Sequence, residues 1–521
     1  MEKERIGLII PPSPFLADSR VFVHIGILKV AAVLEEAGHG VDVLDLSGVA
    51  NPLDVIDDYL KERDINTIGW SATTPQMFTG RKIAEHIRSI RPDVKLILGG
   101  AHPTVTTAAM KREKKKGLYG RAQAAYEKLF EVADVVVAGD GEDSVEYSLT
   151  APKGTLVDAD DPDGGFFLTT QRLGELPFPA RHLVDMESYH YYIKGQKSAS
   201  LIGQLGCPMP CRFCSGRYSP SFRRARPRPI SNVIAELRHL YEVYGFRAFQ
   251  MYDDELNLSP AFLSDLREII KFRDELGVDL YFRGFIKSHL FTEDQAKLMK
   301  ECGFAEICIG YESGSERILA NIKKQSTKAQ NSRCVELTKK YGIRTKAFMS
   351  FCHPGESPET AQETCDWLIN MEVEDFDCTV ISPFPGCPLY DDSIPHDEKA
   401  GIWKYITPEN GDVLYSLDVD YTNTMQYFKG DKNLGYTSFV YTDHLNRDDV
   451  VQLRDWIEDT VRQKLKIPYY ETKAAMLYDH SMGQIPLHIL RSSNETDGTS
   501  KGVVIGPSVL DTTIESPIGD I

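Results

Sequence analysis

The chain has 521 residues, 42% of them hydrophobic and 26% charged, which is the composition of an ordinary folded protein large enough for roughly two to four domains. Its formal net charge of −17 argues against a surface for duplex nucleic acid or for an anionic membrane. No apolar stretch approaches the ~18 residues that a membrane-spanning helix needs.

The cysteines favour a reducing environment. Of the ten, three lie close together and the others are scattered, which is not the distribution of a disulfide framework. The charged residues 1–5 lead straight into an apolar, strand-like run, so we expect no secretory signal. These features predict a cytoplasmic protein.

In the first part of the chain, short apolar runs alternate with helical patterns. The candidate strands are 6–10, 41–46, 67–71, 94–98 and 135–138. One helical pattern stops at Gly38, a favourable C-cap, and another stops before Pro92. Strands of this kind predict an α/β domain, a doubly wound parallel sheet covered on both faces, which we place at residues 1–148.

Small and polar residues gather after the ends of these strands, where the ligands of such sheets bind. A nucleotide or flavin is one possibility, but the first loop lacks G-x-G-x-x-G, which weakens the dinucleotide interpretation. The candidate binding residues are Pro12, Ser71, Thr73, Gln76, Gly99, Gly100, His102, Gly139, Gly141 and Glu142. His102 has the alternative role of a turn residue before Pro103.

Two segments interrupt this alternation. Residues 106–130, with a basic run at 111–116, have the pattern of an insertion in the last crossover, and such a run is usually a solvated helix face. Residues 149–196 are rich in Asp, Gly and Pro and are predicted to be a linker.

From residue 197 the alternation resumes with a longer period. Candidate strands begin near Ser200, Ala248, Asp279, Glu306, Arg344 and Phe376, and the helices between them end at Gly245, Gly277, Gly303 and Gly342. Six strand–helix units predict a partial (β/α)6 barrel over residues 197–395, whose functional loops follow the strands.

The loop after the first of these strands carries three cysteines. Cys207, Cys211 and Cys214 follow one another at C-x3-C-x2-C spacing, and two prolines restrict the loop between them. Such a loop can turn three thiolates toward one point, which is one ligand fewer than a closed zinc or iron–sulfur site uses. A structural zinc loop, or three unrelated thiols, is the alternative.

This spacing, with Phe213 just before the last cysteine, resembles the radical S-adenosylmethionine (SAM) superfamily. The resemblance implies a [4Fe–4S] cluster on Cys207, Cys211 and Cys214, whose fourth iron binds the amino and carboxylate groups of SAM. It also implies SAM contacts at the strand ends, which are Phe213, Asp254, Glu255, Arg283, Glu312 and Ser313.

Each of these contacts has an implied role. Asp254 and Glu255 match the position that binds the methionine amino group, Arg283 matches a carboxylate contact, and Glu312 with Ser313 matches ribose or amino-acid contacts. Taken singly, each residue could instead be a helix N-cap or part of a surface ion pair.

The first domain, followed by the barrel, resembles the cobalamin-dependent class of radical SAM enzymes, and the ten loop residues named above are then cobalamin contacts. The Asp-x-His-x-x-Gly motif of cobalamin mutases is missing around His24, His39 and His102, so the resemblance does not imply an axial histidine.

The remaining segments are less specific. Five arginines between 217 and 228 are better explained as a local brace against acidic groups than as a nucleic-acid patch, because the chain is acidic. Residues 396–521 are predicted to be a small, mostly helical domain that covers the barrel mouth, with a helix at 448–466 and a loose tail from Ser492.

The resemblance implies a C-methyltransferase that moves a methyl group from SAM through methylcobalamin to an unactivated carbon, after a 5′-deoxyadenosyl radical has removed hydrogen. The substrate would be a small molecule or a peptide side chain, and the electron donor a flavodoxin or ferredoxin. Two alternatives stay open: a cyclase or oxidase that uses the same cofactors without methyl transfer, and a sensor that only binds cobalamin. The pattern assigns no residue to acid–base catalysis.

Overall fold

A computed structural model describes residues 4–13, 20–189, 191–428 and 435–467 of the chain. The predicted tail from Ser492, and the part of the predicted 396–521 domain beyond residue 467, lie outside the described residues.

The first domain is a parallel sheet of six strands with helices on both faces. The strands are β1 (Arg5–Ile10), β2 (Gly40–Asp45), β3 (Thr67–Ser71), β4 (Lys95–Gly99), β5 (Val135–Gly139) and β6 (Thr155–Ala159), in the order β2-β1-β3-β4-β5-β6. The helices are α1 (Ile25–Glu36), α2 (Pro52–Glu62), α3 (Met77–Ile90), α4 (Ala101–Lys115), α5 (Arg121–Val132) and α6 (Val145–Thr150). The predicted doubly wound sheet is confirmed, with α1 and α6 packed on one face and α2, α3 and α5 on the other.

The segment predicted to be a linker contains regular structure. Strand β6 pairs with β5, and the short helix α7 (Thr170–Glu175) follows it. Strand β6 lies at the sheet edge and buries only some of its side chains, so it has no continuous apolar run that would reveal it in the sequence. The linker prediction is therefore wrong for residues 155–159.

The barrel is an open sheet. Six parallel strands, β8 (Gln196–Leu201), β11 (Ala248–Met251), β12 (Tyr281–Phe285), β13 (Phe304–Glu312), β14 (Arg344–Phe351) and β15 (Asp375–Val380), follow one another, and β7 (Tyr192–Ile193) pairs antiparallel with β8. A two-stranded ribbon, β9 (Gln204–Leu205) with β10 (Arg226–Pro227), frames the cysteine loop. The predicted partial barrel is confirmed.

Four of the eight helices around the barrel end at the predicted glycines. They are α8 (Pro220–Arg223), α9 (Ile230–Tyr244), α10 (Phe262–Leu276), α11 (Glu293–Cys302), α12 (Glu316–Asn321), α13 (Lys328–Tyr341), α14 (Pro358–Asn370) and α15 (Pro388–Asp391). Gly245, Gly277, Gly303 and Gly342 are left-handed C-caps.

The C-terminal region differs from the prediction of a mostly helical domain. Its described part begins with an antiparallel sheet of β16 (Ile394–Asp397), β17 (Ile402–Ile406), β18 (Val413–Leu417) and β19 (Val440–Tyr441), and ends with the helix α16 (Arg447–Leu465). These strands are short and β16 is exposed throughout, so the sequence carries no strong strand pattern there.

Helix α16 covers the open edge of the barrel at β15. The Glu458 carboxylate accepts a hydrogen bond from the Cys378 amide at 2.7 Å. Arg454 donates to the Cys378 carbonyl at 2.9 Å, and Arg462 donates to the Phe376 carbonyl at 2.6 Å. A free sheet edge needs such partners, so α16 satisfies backbone groups that a closed barrel would pair with another strand.

We predict that Glu458→Ala lowers the free energy of unfolding of the barrel by about 3 kcal/mol, because it leaves a buried amide and two buried arginines without their acceptor. Denaturant unfolding followed by circular dichroism measures the change. Asp459→Ala, at an exposed position on the same helix, is the control and should change it by less than about 0.5 kcal/mol. Equal losses in both variants would contradict the edge-covering role.

Candidate active site

The cysteine loop is held by backbone contacts on both sides. The Cys207 amide donates to the Phe222 carbonyl at 2.8 Å, and the Arg212 amide donates to the Ile322 carbonyl at 2.9 Å. Gly206 has a φ of 84°, and a Cβ there would lie 2.1 Å from the Arg224 carbonyl oxygen, so only glycine fits. The loop is therefore fixed before any ligand binds.

The thiols of Cys207 and Cys211 lie within electrostatic range of the Cys214 thiol. Cys211 is buried and Cys207 half-buried, whereas Cys214 is accessible although the protein surrounds it closely. The pKa of the Cys214 thiol is raised to about 12, mainly because the thiol is desolvated and secondly because the Cys211 sulfur lies nearby. Among the described residues no three Cys, His, Asp or Glu side chains are grouped closely enough to hold a single metal ion. Three thiols on one loop can supply three of the four protein ligands that an iron–sulfur cluster commonly has.

Cationic side chains lie beside these thiols. The Lys287 ammonium is 4.0 Å from the Cys211 sulfur and 3.2 Å from a Glu255 carboxylate oxygen. Arg223 donates to the Met209 carbonyl within the loop. Positive charge near the sulfurs offsets the negative charge of thiolates and of a cluster that they would hold.

The acidic residues after β11 have three separate environments. The Asp253 carboxylate accepts the Gly203 amide at 3.0 Å, and the Asp254 carboxylate accepts the Gly206 amide at 2.7 Å, so both brace the start of the cysteine loop. Burial raises the pKa of Asp253 to about 7 and that of Asp254 to about 6. The second oxygen of Glu255 is buried and has no hydrogen-bond partner among the described residues, so it is placed to accept a donor from a ligand.

Glu312 belongs to a second polar group at the strand ends. Its two oxygens meet Lys324 and Ser350 at 2.8 Å each, and the Ser350 hydroxyl is 2.6 Å from His353 Nε2. Burial opposes the charge, but Lys324 and these hydrogen bonds hold the pKa of Glu312 below its ordinary value. The Phe213 ring lies 5.4 Å from the His353 ring, so Phe213, Glu312 and the cysteine loop share one region.

Two of the predicted SAM contacts have structural partners instead. Arg283 is fully buried and pairs with Glu306 through Nε and with Gln250 at 2.9 Å through Nη1, whereas its Nη2 has no hydrogen-bond partner among the described residues. The Ser313 hydroxyl accepts the Ser315 amide at 3.1 Å, which makes it part of the turn after β13. The sequence places both residues correctly along the strands, but it does not fix the direction of their side chains.

The first domain has a cavity of about 300 Å³ between its sheet and the helices α1 and α6. Most of its lining is apolar, and it extends to Ile202, Leu205 and Phe222 of the barrel side. Six predicted residues line it, namely Ser71, Gly99, Gly100, Gly139, Gly141 and Glu142. The sequence interpretation missed Lys29 of α1, the single charged residue in an apolar stretch of that helix.

Four other predicted contacts do not line this cavity. Gln76 forms a capping box with Thr73 and donates to the Pro11 carbonyl at 3.0 Å, and Pro12 accepts a hydrogen bond from Thr79. His102 lines a separate cavity of about 140 Å³ near Tyr390 and Tyr421, where burial lowers its pKa to about 3. The structure thus gives Thr73 and Gln76 a capping role and places His102 at a different cavity.

One segment joins the cysteine loop to this cavity. The Phe222 side chain lines the cavity, while its carbonyl accepts the Cys207 amide. Asp160 after β6 accepts the Ser219 hydroxyl at 2.7 Å and the Ser221 amide at 2.8 Å. Arg226 pairs with Asp140 at 2.5 Å, which confirms that this arginine run includes a brace against acidic groups. The two candidate sites are therefore held at a fixed separation.

Comparison with known proteins supports both halves of this site. Residues 201–368 match the model of the Radical SAM superfamily, and residues 20–130 match that of the B12 binding domain. An uncharacterized methyltransferase of Pyrococcus horikoshii is 26% identical over 76% of this chain and 84% of its own. The anaerobic magnesium-protoporphyrin IX monomethyl ester cyclase of Rubrivivax gelatinosus is 25% identical over 68% of this chain and 63% of its own.

Among solved structures, the methyltransferase TsrM of Kitasatospora setae, with tryptophan and a SAM analogue bound, superposes with a TM-score of 0.64. The match covers 90% of this chain and 93% of that one at 18% identity, so it establishes the shared fold. None of the helices in the described ranges combines the length and the hydrophobicity that crossing a membrane requires.

We predict that Asp253→Asn stabilises the protein at pH 8 by up to about 4 kcal/mol but has no such effect at pH 4. The folded-state pKa of Asp253 is raised, so its ionised form costs stability above about pH 7, and this cost disappears as the pH falls to the unfolded-state pKa. Denaturant midpoints across this pH range measure the effect.

The control is Asp279→Asn, which removes an exposed carboxyl group before β12. Its effect should be small and the same at both pH values. A pH-independent effect of Asp253→Asn would contradict the assignment of a raised pKa to this carboxyl group.

Proposed function

Because the chain belongs to the cobalamin-dependent radical SAM enzymes of the methyltransferase type, we propose that it replaces a C–H bond of an unactivated carbon by a C–CH3 bond. The overall reaction consumes one SAM as methyl donor and a second SAM that takes the hydrogen and becomes methionine and 5′-deoxyadenosine, and it needs two electrons from outside. When bound, the cluster and SAM supply the organic radical, and cobalamin supplies the methyl group. The observation that carries this proposal is the single segment, 219–226, that contacts both candidate cofactor sites.

The residues of this chain supply binding and orientation. Cys207, Cys211 and Cys214 would hold the cluster. The unpaired oxygen of Glu255 would accept a hydrogen bond from the amino group of SAM. Asp254 would act through the loop by fixing the Gly206 amide. Ser71 and the glycines at the strand ends would leave space for cobalamin, since Gly100 and Gly139 have φ values near 100° that side chains disfavour.

The substrate is a small molecule or a peptide side chain under this proposal. Beyond β15, the C-terminal region adds aromatic rings to the barrel mouth. The Tyr421 hydroxyl donates to the Pro383 carbonyl at 2.8 Å, and the Phe384 ring lies within 6 Å of both Tyr421 and Tyr427 at 5.9 and 5.8 Å. These contacts support a role of this region in shaping the substrate pocket.

A flavodoxin or ferredoxin would supply these electrons one at a time. The ten cysteines are all free thiols in the structure, which supports the proposal that the protein works in a reducing compartment such as the cytoplasm.

Ring closure or oxidation without methyl transfer is a second candidate, because one of the similar proteins is a cyclase. Anaerobically reconstituted protein, incubated with SAM, a reductant and candidate substrates, should form 5′-deoxyadenosine and a product heavier by one CH2 group. Mass spectrometry measures both. A product without the added carbon would favour the second candidate, and a complete lack of 5′-deoxyadenosine with bound cobalamin would favour a sensor.

We further predict that Lys287→Met lowers the reduction potential of the cluster by an amount on the order of tens of millivolts, because it removes a buried positive charge 4.0 Å from the Cys211 sulfur. Redox titration followed by electron paramagnetic resonance measures the potential without SAM or substrate. Lys297→Met, at an exposed position of α11, should leave it unchanged. An unchanged or higher potential in Lys287→Met would refute this electrostatic role.

A further inference from the structure

Three arginines beside the cysteine loop have no acidic partner. Of the five between 217 and 228, Arg226 and Arg228 pair with carboxylates at 2.5 and 2.6 Å, so the brace against acidic groups accounts for these two. Arg217, Arg223 and Arg224 form no ion pair with any of the described residues. In a chain with a net charge of −17, a group of cations without carboxylates of its own indicates a partner of the opposite sign.

This group of arginines lies against the cysteine loop. The Arg217 amide donates to the Cys214 carbonyl at 3.2 Å, and the Arg223 guanidinium donates to the Met209 carbonyl inside the loop. The pKa of Arg223 is lowered, first by burial and then by the charge of Arg217, so the two cations are near neighbours. The group therefore begins one hydrogen bond away from a residue that would hold the cluster.

The end of α4 continues the group of cations. The Arg112 guanidinium lies 3.8 Å from the centroid of the Tyr218 ring, in the turn that follows Cys214. Lys115 comes three residues after Arg112 and therefore lies on the same side of the helix. It is exposed and makes no ion pair within the described ranges. We call Arg217, Arg223, Arg224 and Lys115 the basic surface.

The carboxylates beside this part of α4 have partners of their own. Asp158 pairs with Lys111, and Asp392 pairs with Arg112 at 2.6 Å and with Lys116 at 3.0 Å. They do not neutralise the basic surface, so its positive charge is available to another molecule.

An aromatic ring lies beside these charges. The Arg224 guanidinium is 5.3 Å from the centroid of the half-buried Phe167 ring, and Arg224 itself is exposed. A flavodoxin exposes the aromatic edge of its flavin within a rim of carboxylates. Guanidinium groups beside a ring can pair with such carboxylates and stack on such an edge. The basic surface therefore has the chemistry that recognises a flavodoxin.

We propose that the basic surface is the docking site of a flavodoxin that reduces the cluster. The inference rests on the proposed function, because it assumes a cluster that takes electrons from outside. In each encounter the fully reduced flavin loses one electron and the oxidised cluster gains it, and no proton is transferred and no bond forms or breaks.

The affinity for oxidised flavodoxin tests this docking without any turnover. Isothermal titration calorimetry, without SAM or substrate, gives the dissociation constants of the anaerobically reconstituted wild type, of Arg224→Glu, of Lys115→Glu and of the double variant. Arg333→Glu reverses the charge of an exposed arginine on the barrel helix α13 and is the matched control. An acidic ferredoxin is titrated in the same way.

Arg224→Glu and Lys115→Glu should each raise the Kd of flavodoxin by about 10-fold, because a repulsive charge replaces an attractive one. The double variant should raise it further, and Arg333→Glu should change it by less than about 2-fold. Salt at about 0.3 M instead of about 0.02 M should weaken binding to the wild type and remove most of the difference between the proteins. Dithionite needs no docking site, so the fraction of the cluster that it reduces, measured by electron paramagnetic resonance, should be the same in all of them.

Equal affinity of the wild type, Arg224→Glu and Lys115→Glu, or an equal loss in Arg333→Glu, overturns the inference and leaves the proposed function intact. Variants that weaken ferredoxin but not flavodoxin overturn it too, and so do variants that change the sedimentation coefficient of the protein alone, because the surface would then join two copies of the chain. A dithionite-reduced wild type that forms no 5′-deoxyadenosine from SAM contradicts the proposed function, whereas the titration still decides the docking.

Discussion

The hydrogen bond from the Cys207 amide to the Phe222 carbonyl is the contact on which the arrangement of the two candidate sites depends. Phe222 also lines the cavity of the first domain, so this residue contacts the cysteine loop through its backbone and the cavity through its side chain. Asp160 and Asp140 hold the two ends of the same segment to the first domain. Chemistry that passes a group between two cofactors needs a fixed distance between them, and this segment provides it.

Buried polar groups divide into those that the protein pairs and those that it leaves open. Glu312, for example, meets Lys324 and Ser350 with its two carboxylate oxygens. One oxygen of Glu255 has no partner among the described residues, and neither has the ammonium of Lys29. Since an unpaired buried group costs stability, such a group indicates where a ligand could complete the site.

The sequence reveals those parts of the fold that have local signals. Buried parallel strands are continuous apolar runs and their helices end at Gly245, Gly277, Gly303 and Gly342, so the barrel could be predicted almost strand by strand. Edge strand β6 and the C-terminal sheet lack such runs. The ends of strands could be located, but the direction of a side chain could not, so the sequence did not reveal that Arg283 and Ser313 have protein partners or that His102 lines a separate cavity. Lys29 could have been recognised as a candidate cavity residue, because it is the single charged residue in the apolar first part of α1.

Because the barrel is open, the C-terminal region has two parts with different tasks. Helix α16 covers the edge of β15, and the segment with Tyr421 and Tyr427 lies at the barrel mouth. A sheet that does not close leaves the edge of β15 exposed, and the buried charges of α16 satisfy the backbone groups there. The chain between these elements places Tyr421 and Tyr427 against Pro383 and Ser382, directly after the same strand. Changing α16 would expose the edge, whereas changing the tyrosine segment would alter the mouth and leave the edge covered. Substrate range can therefore vary in that segment without a loss of barrel stability, because the two tasks are carried by different residues of one region.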